Sequence, residues 1–191
     1  TLPGWDRMLQ NDQFYVADID SDNRDELYVF NGRDWSVGYL QLFHSTGFGL
    51  DYVQRFDEEL PGWDDMRPND QFYVADFDAD NRDDLYVFNG RDWNIAYLEK
   101  LQSVRNTLVF GNRWDGNVPG WDDLKPNDQF FVADINGDRQ QDLYAYNATD
   151  WVTEYLGVLT SSGANGLTGS WQADRIGQWN LGSPDKFLVG N

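Results

Sequence analysis

The sequence predicts an all-β fold: three tandem four-stranded antiparallel units followed by the first strand of a fourth. Three observations predict it. Landmarks return every 58 residues, with Trp5, Trp63 and Trp121 in "LPGWD", "LPGWD" and "VPGWD", and Asp18, Asp76 and Asp134 in step with them. Each unit is made of short apolar runs broken by Asn, Asp and Gly, the spelling of strands and turns. No window of eleven or more residues carries helical periodicity.

Within a unit, "QFYVADI" is the first strand. It is apolar on both alternating sets (Phe14 and Val16; Tyr15 and Ala17), which predicts cover on both faces. "ELYVFNG" is the second, and Asn31-Gly32 behind it predicts a tight positive-φ hairpin. "VGYLQLF" is the third and "LDYVQRFD" a more polar fourth. A four-stranded meander of this length matches a blade of β-propeller type. The chain then reads as a single repeat domain, 1–191, with units at about 2–59, 60–117 and 118–175 and a partial fourth at 176–191. Trp179 keeps the interval, Phe187 falls one residue early against Phe130, and the sequence ends at Asn191. Three blades and a fraction predict a partial or open propeller.

The 191 residues carry a formal net charge of −19 and 16% aromatics. Acidic disordered segments are poor in aromatics, so the chain is expected to fold. This charge repels phosphate backbones, which argues against nucleic acid as a partner. No segment resembles a membrane span or a basic interfacial helix, so no membrane insertion is expected. With no cysteine there are no disulfides and no thiolate metal sites. For an exported protein, "TLPGWDRM" is expected to open a mature form or an excised fragment.

The acids are gathered in three loops: "DIDSDNRDEL" from 18, "DFDADNRDDL" from 76 and "DINGDRQQDL" from 134. Carboxylates at alternate positions of a tight loop suit a hard cation, and calcium takes about 6–8 oxygens. The first set of ligands would be Asp18, Asp20, Asp22, the Arg24 carbonyl and Glu26. The second would be Asp76, Asp78, Asp80, the Arg82 carbonyl and Asp84, and the third Asp134, Asn136, Asp138, the Gln140 carbonyl and Asp142. An EF-hand is excluded, because it needs a glutamate at position 12, where Val29, Val87 and Ala145 stand inside strands. An acid-rich turn without metal is the competing reading, since Asp and Asn favour turns. Like charges repeated in phase three times favour the cation. The third loop, with fewer carboxylates and Arg139 at position 6, is predicted to bind weakest.

"VADIDSDNRDEL", "VADFDADNRDDL" and especially "VADINGDRQQDL" resemble the calcium-loop signature of FG-GAP (VCBS-type) repeats. The resemblance covers essentially the whole chain. It implies integrin-α-like propeller blades, a structural calcium in the loop between the innermost strand and the second, and a secreted, extracellular setting. Two departures stand out. Position 6 is Asn, Asn and Arg rather than Gly, and family propellers close with about seven blades.

The tryptophans form two series. Those of "PGW" are expected to pack between blades, with the indole N–H groups on loop carbonyls. Trp35, Trp93 and Trp151, after Asp in "NGRDW", "NGRDW" and "NATDW", could pack likewise or form a sugar-binding surface, as in fungal lectins of similar repeats. Asn147-Ala-Thr149 is a formal N-glycosylation acceptor. Catalysis is not expected: the one histidine, His44, beside Ser45, reads as a lone surface residue. The expected function is a non-catalytic binding or adhesion module for a glycan or protein. The alternatives are a self-assembling ring or filament subunit joined through open blade edges, or the repeat region of a larger secreted hydrolase.

Overall fold

The structure is a computed structural model that describes residues 2–5, 7–147, 149–150, 155–163, 166–173, 175–176 and 179–180. It is all-β, with three tandem four-stranded antiparallel sheets in an open, propeller-like arrangement. The first blade holds β1 (Gln13–Ala17), β2 (Glu26–Asn31), β3 (Tyr39–Ser45) and β4 (Leu50–Asp57). The second holds β5 (Gln71–Ala75), β6 (Asp84–Asn89), β7 (Tyr97–Val104) and β8 (Thr107–Asp115). The third holds β9 (Gln129–Ala133), β10 (Asp142–Asn147), β11 (Tyr155–Ser162) and β12 (Gly166–Ala173). Each is a plain meander in chain order. A short pair, β13 (Arg175–Ile176) with β14 (Trp179–Asn180), follows. Trp151, Phe187 and Asn191 lie outside the described residues, and with them the expected opening strand of a fourth unit.

The first strands lie side by side, β1 against β5 and β5 against β9. Phe30 meets Phe72 at 4.8 Å between ring centroids, and one repeat later Phe88 meets Phe130 at 5.0 Å. These aromatics nucleate two cores, one between the first and second blades around Trp63 and Met66, the other between the second and third around Trp121 and Leu124. Cover on both faces of the first strand holds only where a blade precedes it. Phe72 and Phe130 are buried, whereas Phe14 is 47% exposed and Val16 60% exposed.

The "PGW" turns close by paired backbone bonds, Leu60 N–H to Trp63 O and Trp63 N–H to Leu60 O, both 2.9 Å. Gly62 sits there at φ 90°, and a Cβ on it would lie 2.9 Å from Glu99 Oε1, so glycine is required twice over. The expected Asn31-Gly32 hairpin does not form, since neither residue has positive φ. Residues 32–38 make a longer connection, and the Asn31 side chain organises it by accepting the N–H groups of Arg33 and Asp34, both at 2.9 Å. Gly32 serves close approach instead: a Cβ there would be 2.8 Å from the Arg67 carbonyl of the next unit.

Candidate metal centres

The three acidic loops join β1 to β2, β5 to β6 and β9 to β10. In each, the aspartate at position 1 accepts backbone N–H groups from further along. Asp18 takes Ser21 N–H at 2.8 Å and Asn23 N–H at 3.0 Å. Asp76 takes Asn81 N–H at 2.9 Å, and Asp134 takes Gly137 N–H at 2.7 Å and Arg139 N–H at 3.1 Å. The position-5 carboxylate caps position 7: Asp22 accepts Arg24 N–H and Asp80 accepts Arg82 N–H, both at 2.9 Å, and Asp138 accepts Gln140 N–H at 2.8 Å.

These bonds curl the backbone left-handed at positions 4 and 6. Ser21, Ala79 and Gly137 lie at φ 65°, 61° and 80°, and Asn23, Asn81 and Arg139 at 63°, 63° and 74°. Asparagine tolerates that region; alanine and arginine adopt it at a cost the loop must offset. The left-handed demand at position 6 is visible in the two asparagines, but Ser21 and Ala79 give no sign of it.

Position 9 is buried in every loop, with Glu26, Asp84 and Asp142 at 1%, 1% and 0% exposure. It ties the loop to the third strand. Glu26 accepts Ile19 N–H at 3.2 Å and Ser45 N–H at 3.4 Å. Asp142 accepts Ile135 N–H at 3.0 Å and Ser161 N–H at 2.7 Å. Asp84 accepts Ser103 N–H at 2.9 Å with one oxygen, while the other lies 3.1 Å from Lys100 Nζ.

The loops differ in what they bring together. Asp18, Asp20 and Glu26 place carboxylate oxygens within 4.8 Å of one another, and Asp76, Asp78 and Asp80 do the same. Among the described residues, the third loop forms no such group of three acids or histidines; its Asn136 amide donates to Asp138 at 2.9 Å. Arg24 and Arg82 fold their guanidinium groups onto Asp22 and Asp80, so the residue expected to lend only a carbonyl also supplies charge. His44 is no lone surface residue. Its Nδ1 lies 3.1 Å from Glu26 and 3.7 Å from Asp20, and it forms a second group with Asp20 and Asp22. Its place on β3 beside the loop is a matter of strand register, which spacing along the chain does not announce.

Electrostatics show what the loops lack. Burial pushes the carboxyl groups of Glu26, Asp80, Asp83 and Asp142 above their usual range, and Asp84 up to about 6 against the pull of Lys100. Asp22 is held low by the Arg24 side chain. Asp78 Oδ1 is buried without a hydrogen-bond partner among the described residues. Crowded, desolvated carboxylate oxygens with unmet demand for positive charge fit a hard divalent ion.

The opposite corner of each blade is a repeated hydrogen-bond lock that the sequence reading missed. Trp63 Nε1 donates to buried Asp70 at 3.1 Å, Arg67 N–H to the same oxygen at 2.8 Å, and Asn89 Nδ2 to its other oxygen at 2.6 Å. Asn89 and Asn69 both donate to Asp92, each at 2.8 Å. The same lock joins Trp5, Asp12, Asn31, Asp34 and Asn11, and again Trp121, Asp128, Asn147, Asp150 and Asn127. The indole acceptors are therefore carboxylates, not carbonyls. Burial raises Asp70 to about 7 and Asp128 to about 6, although the donors aimed at each oppose it. Asn147 is wholly buried with its amide donating to Asp128 and Asp150, so a sugar there would require the lock to open.

Of the hairpin tryptophans, Trp35 is 38% exposed and borders a recess of about 160 Å³ with Trp5, Tyr39 and Arg55. The Arg55 guanidinium stacks on Tyr39 at 3.9 Å. Trp93 is half-buried under Arg67, whose guanidinium carbon lies 5.0 Å from the ring centroid. No protein-family model matches the chain, and no curated protein matches it. No helix among the described residues is long and apolar enough to cross a membrane.

Proposed function

We propose that the chain is a secreted, calcium-stabilised repeat module of the FG-GAP/VCBS type that binds a glycan or a protein and catalyses no reaction. The observation that carries this is the pair of carboxylate groups, Asp18–Asp20–Glu26 and Asp76–Asp78–Asp80, built at one place in consecutive blades. Calcium would supply the positive charge that lets these crowded, mostly half-buried acids sit together, tying each first strand to its hairpin. A ligand would then meet a rigid scaffold, with the Trp35 recess as its contact in the first blade. An indole face beside the stacked Arg55–Tyr39 pair supports a pyranose as one such ligand.

The test is a melting curve against free calcium. Binding to the native state alone must raise the midpoint with concentration; a midpoint indifferent to calcium and to chelator overturns the metal. A glycan array with the parent chain and Trp35→Ala tests the ligand, and an array with no bound sugar removes the glycan.

A second reading, self-assembly, is favoured by the bare face of the first blade. Met8 is 52% exposed while its equivalents Met66 and Leu124 are buried at 2% and 3%, in step with Phe14 and Val16. In the second and third blades that face is covered by the preceding blade, so a blade from another copy would fit it. A strictly monomeric mass by light scattering, with and without calcium, overturns this reading.

A further inference from the structure

We propose that Lys100 is the resident cation of the second loop and holds that loop's calcium affinity below that of the first. This inference rests on the calcium reading above.

Lys100 lies on β7 and its side chain is only 1% exposed. Its equivalents one repeat away are Leu42 and Val158, so a charged residue stands where the other blades carry an aliphatic one. The strand is built alike in both places, with a register shift at Leu42/Phe43 in the first blade and at Lys100/Leu101 in the second. The methylene stem can therefore lie where Leu42 lies, and the extra length carries the ammonium into the acids. Nζ stops 3.1 Å from Asp84 Oδ2 and 3.9 Å from Asp78 Oδ2. Those are positions 9 and 3 of the loop. Gln102 adds a donor to Asp78 at 3.0 Å.

A buried ammonium is tolerated only where it is paired, and here the pairing uses the carboxylates a divalent ion would need. An ion held by Asp78 would sit a few ångströms from Nζ, and the two cations would repel each other in a poorly screened setting. The second loop keeps its acids because Lys100 needs them, and loses affinity for the same reason.

Calcium titration followed by ¹⁵N NMR separates the loops, because Asn23, Asn81 and Arg139 hold the same left-handed place in each. In the parent chain the Asn81 amide is expected to respond at roughly tenfold or more higher calcium than Asn23. Lys100→Met should lower the Asn81 midpoint by roughly tenfold or more and leave Asn23 and Arg139 in place. The same variant should melt lower in chelator, since Asp84 and Asp78 lose their partner, and recover with calcium. The reciprocal Leu42→Lys should raise the Asn23 midpoint. If Lys100→Met does not fold at all, Leu42→Lys decides: a raised Asn23 midpoint supports the inference and an unmoved one overturns it. An Asn81 midpoint that equals that of Asn23, or that ignores Lys100→Met, overturns the role of Lys100 alone. Absence of any calcium response in all three loops overturns the calcium reading itself.

Discussion

Asp83 and Asp18, 65 residues apart, hold each other by two bonds: Asp83 N–H to the Asp18 carbonyl at 2.6 Å, and Asp18 N–H to the Asp83 carboxylate at 2.9 Å. The first acidic loop is thereby fastened to the second through the aspartate at its first position. The next junction keeps the backbone half, with Gln141 N–H on the Asp76 carbonyl at 2.8 Å. Ordering one loop therefore helps to order its neighbour.

Replacing Asp83 with Ala removes the side-chain bond and leaves the backbone one. The loss of a charge-assisted bond should cost about 1–3 kcal/mol in urea unfolding. It should also weaken calcium at Asn23 as well as at Asn81. A change confined to the second loop would show that the clasp carries no coupling.

Calcium removal should act through mass action. At about 100 times its dissociation constant, each filled site adds about 2.7 kcal/mol. Excess chelator at neutral pH should lower the melting midpoint by several degrees, and magnesium, smaller and reluctant to shed water, should restore little of it. Scanning fluorimetry reads both.

Glu99 should give the fold a pH dependence opposite to that of the metal. It lies wholly buried on β7, where the first blade has Gln41, whose amide donates to the Pro3 carbonyl at 3.0 Å. Neither Glu99 carboxyl oxygen has a hydrogen-bond partner among the described residues, and burial raises the group to about 8 against the nearby Arg113. A folded-state value above the unfolded 4.5 means the contribution is intact below about 4.5 and lost as pH climbs through about 8. Glu99→Gln should remove that slope and be the more stable protein at pH 8. Urea midpoints for both proteins in one calcium buffer isolate the difference, and parallel profiles would refute the assignment.

The hydrogen-bond lock should be costly to open. Asn89→Ala withdraws donors from Asp70 and Asp92 and the acceptor used by Arg91 and Asp92 N–H. A loss of about 3 kcal/mol is expected, larger than for any exposed polar substitution. Expression in a glycosylating host should yield a chain whose mass carries no sugar at Asn147.

Much of this molecule is legible in the sequence because a 58-residue step repeats short-range information. Strand identity depends on alternation within a few residues, and the strands of the three blades run from five to nine residues. The acidic loops are equally local: positions 1 to 9 are near in space because they are near in sequence. The errors fall where partners are distant. Asn31-Gly32 looked like a turn pair because its true partners, Asp12 and the Arg67 carbonyl, lie 19 and 35 residues away. His44 looked idle because its distance from Glu26 is set by how β3 pairs with β2.

By itself, then, the sequence determined the repeat, the order of strands and the spacing of acids, all consequences of backbone geometry over a few residues. The tertiary structure alone decided which charges meet. Lys100 is an ordinary lysine in a strand until β7 docks beside the second loop and brings its buried ammonium to Asp84 and Asp78. Electrostatic energy depends on distance through space and on the exclusion of water, and neither can be read from position along a chain.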